Sequence, residues 1–249
     1  MNLAERDRIT RGDALSRAWA EVRATSPATA GELRAAIGDG VPFEGQHRLC
    51  LVRHGETVTN ALGLVTGTLD VHLTDRGRRE AVAAGRKLTD YHFETAWSSR
   101  LERSRETCSI LLEAAGSADT PRILDDRLAE RSLGVMEGRK RRHVPEFAAG
   151  DMAYAPPRGE SYTSVGLRIM AFLLDLAQLP ADFQGDALVA THMGPLRMID
   201  AVLTHPDAAP AEVLARSFEN TTPFCRPLSV LRWPQWLRAE STDMVPARL

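Results

Sequence analysis

Apolar and polar positions along this chain follow two alternating periods. Short unbroken apolar runs of strand length are separated by longer stretches whose apolar residues recur at helical spacing. Leu49-Cys50-Leu51-Val52 and Ala187-Leu188-Val189-Ala190 are the clearest apolar runs. Each is bounded by polar residues, as expected of a strand covered on both faces. The pattern predicts strands over His47–Val52, Thr95–Ser98, Arg122–Leu124 and Asp186–Thr191, with a terminal strand region over Pro223–Trp233. Between them it predicts four helices. The first is opened by Thr74 as N-cap and runs to near Thr89. The second spans Glu102–Ala115 and is ended by Gly116. A long amphipathic helix covers Ser161–Leu179 and stops before Pro180, and the last covers Pro195–Leu203, with proline in its first turn. This alternation predicts one α/β domain with helices on both faces of its sheet.

Residues 1–46 break the alternation. Ala14–Arg23 places Leu15, Ala18, Trp19 and Val22 on one helical face, Ser26-Pro27-Ala28-Thr29 interrupts it, and Ala30–Ile37 reads as a second helix closed by Gly38-Asp39-Gly40. The expectation is a helical extension packing on the core or on a second subunit, which leaves room for a homodimer. A regulatory or partner-binding segment is the alternative. The tail, Arg238–Leu249, is expected to be loosely held.

Composition narrows the classes. The chain has 249 residues, 43% apolar, enough for one sizeable core. A net charge of −2 gives no bulk electrostatic footprint for nucleic acid or an anionic membrane. No apolar stretch approaches the roughly 20 residues that cross a bilayer. The charged N-terminus lacks the apolar core of a signal peptide, so a cytoplasmic location is expected. Cys50, Cys108 and Cys225 are odd in number and far apart, and are expected to be reduced thiols. Neither Cys-x-x-Cys nor His-Glu-x-x-His occurs, so neither metal nor another cofactor is implied.

Four segments carry the chemistry, each at the end of a predicted strand. They are Arg53-His54-Gly55-Glu56-Thr57-x-x-Asn60 with Thr66-Gly67 following; Ser98-Ser99-Arg100-Leu101-Glu102-Arg103-Ser104-Arg105-Glu106-Thr107; Leu128-Ala129-Glu130-x-x-x-Gly134-x-x-Glu137-Gly138; and Ala190-Thr191-His192-Met193-Gly194-Pro195. In open α/β sheets, ligands bind at such strand ends. Two of the segments also run into helix N-termini, whose free N–H groups favour anions. A neutral histidine beside two arginines and a second histidine suits attack on an anionic phosphorus centre. Arg103 competes with Arg100 and Arg105, and Glu130 with Asp125, Asp126 and Glu137. Spacing to Leu101 and Thr107 favours the first, and spacing to Gly134 and Gly138 the second. His47, His72, His92, His143 and His205 have no comparable context and are expected to be structural or exposed. Glu56 and Thr57 read as loop-fixing.

These motifs resemble those of the histidine phosphatase superfamily, the phosphoglycerate mutase-like family, over residues 47 to about 233. The resemblance implies a three-layer α/β/α sandwich on a mostly parallel sheet, here with an N-terminal extension (1–46) before a catalytic domain (47–249) that carries a small cap around 136–160. It also implies roles. His54 would be the nucleophile, forming a phosphohistidine with its other nitrogen held by the Gly55 carbonyl. Arg53, Arg103 and His192 would grip the phosphoryl oxygens, with Asn60 as a further donor and Thr66 and Gly67 alongside. Glu130 would be the general acid, then the base for water. No metal is needed.

The sequence departs from the family at one point. Many members carry an arginine between the asparagine and the glycine of the first motif, whereas the fourth residue after Asn60 here is Leu64. A basic run, Arg139-Lys140-Arg141-Arg142, follows the Glu130 loop instead. It reads either as a solvated helix start or as a cap segment that meets a distal anionic group of the substrate. Glu130 and His192 are 62 positions apart, with no long insertion and no Asn-Glu-Arg-His-Tyr-Gly context. The expectation is therefore a phosphomonoester phosphatase acting on a small phosphorylated metabolite. A phosphoglycerate mutase-type phosphotransferase and a non-catalytic phosphate-binding regulator are the alternatives. Residues 61–67, 136–160 and 218–226 shape the pocket and carry no readable code.

Overall fold

The computed structural model describes residues 3–43, 48–143, 151–179 and 185–246, with backbone only for 3–11 and 143. The expectations for His47, for the His143 side chain, for the centre of the cap and for Pro180 lie outside the described residues.

Five strands form the main sheet in the order β4-β3-β5-β2-β6. They are β2 (Arg48–Arg53), β3 (Phe93–Ser98), β4 (Arg122–Leu124), β5 (Asp186–Thr191) and β6 (Phe224–Pro227). All pairings are parallel except that of β6, which lies antiparallel on β2. A second, two-stranded sheet joins β1 (Val41–Pro42) to β7 (Val230–Leu231). The helices are α1 (Leu3–Ala24), α2 (Ala30–Ile37), α3 (Val58–Ala61), α4 (Asp75–Gly85), α5 (Glu102–Ala114), α6 (Tyr162–Ala177), α7 (Met193–Thr204) and α8 (Pro210–Ala215).

Strand alternation divides the core in two. Leu49, Leu51, Trp97, Ala187 and Val189 face one side and pack with α6 and α7. Cys50, Val52, Ala96, Leu188 and Ala190 face the other and pack with α4 and α5. The sheet is thus covered on both faces, as the unbroken apolar runs require.

Three expectations need correction. The first concerns α6, whose polar stripe does not face water: Arg168 and Asp175 are buried in ion pairs with Glu160 and Arg127. Every residue from Val165 to Ala177 is buried, because the N-terminal extension and the C-terminal segment close over the face that would otherwise meet water. Trp19 of α1 packs on Trp97 and Phe172 at ring-centroid distances of 5.1 and 5.5 Å. Leu33 and Ile37 of α2 join the same core. The second concerns the tail, which is tied down through Val245. Ala30 N–H donates to Asp243 O, Gly31 N–H to Ser241 O and Val245 N–H to Ala28 O, so the tail straps the start of α2. The third concerns the cysteines. Cys50 and Cys225 form a disulfide, because the β2–β6 register sets them directly opposite each other across 175 residues of sequence. Cys108 remains a thiol, and burial pushes its pKa up to about 12.

Candidate active site

Parallel pairing of β2 with β5 sets Arg53 against Thr191, so the next residue on each strand, His54 and His192, leaves the sheet at the same edge. His54 N–H donates to Thr191 O at 3.0 Å, which ties the two strand ends together. The imidazole rings lie 5.1 Å apart, centroid to centroid, and both are buried. His54 Nδ1 sits 2.8 Å from Gly55 O. A carbonyl can only accept, so Nδ1 carries the proton and Nε2 keeps its lone pair. Burial, then the charges of Arg103 and Arg53, holds His54 well below the ordinary histidine range, so it is neutral at pH 7. His192 is held low in the same way, by burial first and Arg103 next. Its Nε2 meets Ser99 Oγ at 2.7 Å, while Nδ1 is buried without a partner among the described residues.

Arg103 enters from the first turn of α5. It is fully buried, and its Nη1 and Nη2 each donate at 2.7 Å to backbone carbonyls, of Leu69 and Gly67 respectively. No carboxylate of the described residues bonds to it. Burial therefore lowers its pKa to about 10, which leaves it charged at neutral pH. Of its neighbours, Arg100 pairs outside with Asp126 at 2.8 Å and Arg105 is exposed. Arg53 donates to Phe218 O at 3.1 Å, and burial lowers its pKa as well. The Nε atoms of both Arg53 and Arg103 are buried and unpartnered among the described residues. Two desolvated guanidiniums with spare donors form a preorganised anion cradle.

Glu130 lies against this cradle, and its charge favours the protonated forms of both Arg53 and Arg103. Its Oε1 accepts from Arg131 N–H at 2.8 Å and Gly194 N–H at 3.0 Å. A side chain at 194 would push this carboxylate aside, since a Cβ there would stand 2.6 Å from that oxygen. Oε2 bonds to no other described residue. The competing carboxylates are all engaged in structure. Asp125 is buried against Arg127 at 2.8 Å, Asp126 pairs with Arg100, and Glu137 accepts from the N–H groups of Thr68 and Leu133.

Gly67 has φ +52°, and a Cβ there would collide with Glu137 Oε1 at 2.1 Å. The 66–69 loop thus rests on Glu137 and presents its carbonyls to Arg103. Thr66 Oγ1 bonds Thr59 Oγ1 at 2.6 Å. Asn60 is half-buried, and its Oδ1 accepts from Thr57 N–H while Thr57 caps α3. Thr57 is loop-fixing as expected, and so is Glu56, whose Oε1 accepts from Thr74 Oγ1 at 2.8 Å. His72, His92 and His205 are exposed. Among the described residues no group of three or more His, Cys, Asp or Glu side chains could hold a metal ion, and no helix is long and apolar enough to cross a membrane.

Two contributions were not legible in the sequence. Asn220 Nδ2 donates to His54 O at 2.5 Å, and Thr221 N–H donates to Arg53 O at 3.0 Å. The 218–221 loop therefore braces the Arg53-His54 step from the far end of the chain. No motif marks Asn220. Ser99 stood within a quoted motif, but its partner His192 lies 93 residues away.

Comparison with known proteins agrees with this geometry. The profile of the histidine phosphatase superfamily (branch 1) matches residues 49–222. Fructose-2,6-bisphosphatase TIGAR B of Danio rerio is 41% identical over 56% of this chain, and the match spans 57% of that protein's length. A 2,3-bisphosphoglycerate-dependent phosphoglycerate mutase of Mesorhizobium japonicum is 37% identical over 61% of this chain and 78% of its own. A mycobacterial glucosyl-3-phosphoglycerate phosphatase complexed with VO3 superposes with a TM-score of 0.61 at 26% identity, covering 72% of this chain and 90% of that one. Phosphoglycerate mutase from Bacillus anthracis shares the fold, with a TM-score of 0.64 at 22% identity over 81% of this chain and 95% of its own. The chain belongs to the histidine phosphatase superfamily.

Proposed function

We propose that this chain hydrolyses a small phosphomonoester through a phosphohistidine at His54. The observation that carries the reading is a buried, neutral His54, its Nδ1–H fixed on Gly55 O, set beside two charged arginines that bond to no carboxylate among the described residues. Arg53, Arg103 and His192 hold the non-bridging oxygens, with Asn60 as a further donor and the Thr66-Gly67 turn shaping the wall. The Nε2 lone pair of His54 attacks phosphorus, and the P–O ester bond breaks. Glu130 gives its proton to the departing oxygen, which leaves as an alcohol. Water then attacks the phosphohistidine while Glu130 takes a proton from it. The N–P bond breaks, its electron pair returns to Nε2, and inorganic phosphate leaves. The protein supplies every donor in this sequence.

The mutase reading keeps the same first half and returns the phosphoryl group to a second hydroxyl. Curated relatives include mutases, so likeness alone does not separate the two. The short Glu130–His192 interval and the Glu130 motif favour hydrolysis. Labelled substrate should leave an acid-labile, base-stable label on the protein, and His54→Ala should acquire none. With 3-phosphoglycerate, hydrolysis releases phosphate or nothing happens. Conversion to 2-phosphoglycerate without phosphate release, stimulated by 2,3-bisphosphoglycerate, would establish the mutase instead. Label and activity that survive in His54→Ala would reject both.

A further inference from the structure

We propose that the Cys50–Cys225 disulfide is a redox switch for the active site. Intact, it clamps the 218–221 loop onto the Arg53-His54 step, and reduction by a dithiol frees the loop and slows turnover. The inference rests on the hydrolase reading above and names the regulation of that site.

The bridge and the loop are two ends of one short clamp. Cys50 stands three residues before Arg53 on β2, and Cys225 stands four residues after Thr221 on β6. At one end the disulfide joins the strands where Cys50 and Cys225 face each other in register. At the other end three hydrogen bonds tie the loop to the site. Thr221 N–H donates to Arg53 O at 3.0 Å, Asn220 Nδ2 to His54 O at 2.5 Å and Arg53 Nη1 to Phe218 O at 3.1 Å. The loop thus fixes the backbone at His54 and the guanidinium of Arg53 together.

This loop is held under strain. Thr221 has φ +51°, a left-handed conformation that a β-branched residue keeps only where its surroundings enforce it. From the β6 side, little besides the bridge enforces it. β6 is an edge strand of four residues, paired with β2 alone among the described residues, and it ends in Pro227, which has no N–H to donate. Pro223 removes a further donor between Thr221 and the strand. Arg226, beside Cys225, stands 3.6 Å from the Asp200 carboxylate, an ion pair without a hydrogen bond. Losing the disulfide therefore lets Thr221 relax and withdraw its N–H from Arg53. Upstream, Arg216 donates to Asp200 at 2.6 Å, so the loop is loosened without being detached.

The chemistry is thiol–disulfide exchange. Cys225 is half-buried and Cys50 fully buried, so the edge-strand sulfur is the one within reach. A thiolate of the dithiol bonds to Cys225 Sγ, the S–S bond breaks, and its electron pair leaves on Cys50 Sγ, which takes up a proton. The second thiolate of the dithiol then bonds to the first, expelling Cys225 as a thiolate that is protonated in turn. The dithiol ends as a disulfide, and both cysteines end as thiols.

The test compares oxidised with dithiothreitol-reduced protein. Thiols counted after denaturation verify the two forms: one, Cys108, in the first and three in the second. Reduction should lower kcat/KM for p-nitrophenyl phosphate fivefold or more, and oxidised glutathione should restore it. The Thr221 amide should exchange hydrogen at least tenfold faster in the reduced protein, while the amides of β3 and β5 keep their rates. Global loosening would move all of these alike. Cys225→Ser should match the reduced protein and ignore the reductant, and Cys108→Ala should switch like the wild type. If Cys225→Ser folds poorly, the two wild-type forms carry the test by themselves. Equal kcat/KM in both forms, an unchanged Thr221 amide, or a reductant effect that persists in Cys225→Ser would overturn the switch and leave the hydrolase reading standing. No hydrolysis and no phosphohistidine in either form would overturn that reading, and the Thr221 amide would then report on the clamp alone.

Discussion

At the scale of single residues, the site is a study in enforced protonation states. His54 and His192 are buried and held well below the ordinary histidine range, by desolvation first and the arginines next. The sign of the resulting pH dependence follows from where the protons go. In the unfolded chain each histidine takes up a proton near pH 6.5, whereas the folded protein keeps both neutral. The unfolded state therefore binds more protons as the pH falls through 6.5. Stability should decline from there downward and be indifferent to these groups above about pH 7.5. His192→Asn should flatten the fall in unfolding free energy, read from urea melts, between pH 7 and pH 5.5, by up to about 1.4 kcal/mol per pH unit. An unchanged slope would show that His192 titrates normally.

Glu130 gives a second residue-scale expectation. Its carboxyl matters most where the leaving oxygen is strongly basic. Glu130→Gln should slow an alkyl phosphate by about 10²–10⁴. It should slow p-nitrophenyl phosphate far less, provided that phosphorylation of His54 limits the rate, since p-nitrophenolate leaves largely unaided. A burst of p-nitrophenol would instead mark slow dephosphorylation, with both substrates slowed alike. Equal losses without a burst would mean that Glu130 acts only through Gly194 and Arg131, which its Oε1 holds.

At the scale of elements, the strand that carries Arg53 is fixed from both flanks. β5 pairs with β2 on one side, while β6 and the 218–221 loop brace it on the other. The Cys50–Cys225 disulfide couples β2 to β6 just upstream of Arg53. A cross-link closing so long a loop contributes about 2–5 kcal/mol by the usual chain-entropy argument. Cys225→Ser, or reduction with dithiothreitol, should lower the melting temperature measurably. Identical melts with and without reductant would mean that the pair contributes nothing as a bond.

At the scale of the whole molecule, the extension belongs to the core. Trp19 is 3% exposed and packs on Trp97 of β3 and Phe172 of α6. Beneath it, Arg127 spans Asp125 and Asp175, and Ser26 Oγ donates to Asp175 at 3.0 Å. Removing the indole leaves a cavity, so Trp19→Ala should cost about 3–5 kcal/mol. Unfolding followed by tryptophan fluorescence and by circular dichroism should coincide in the wild type. Two separated transitions, or a Trp19→Ala variant as stable as the parent, would show the extension to be an independent appendage.

Sequence alone determined whatever depends on local pattern. Unbroken apolar runs marked β2 and β5 as buried strands, Thr74 capped its helix as read, and four strand-end motifs marked His54, Arg103, Glu130 and His192. These signals are local because strand period, capping and phosphate chemistry each require particular residues at fixed short spacings. Tertiary structure decided what depends on distant segments meeting. The α6 pattern was misread because nothing in it says that α1, α2 and the tail will cover its outer face. The thiols of Cys50 and Cys225 were misread because only the β2–β6 register brings them together. Asn220 carried no motif. Its place beside His54 comes from the 218–221 loop returning to the sheet edge, a contact between residues more than 160 positions apart.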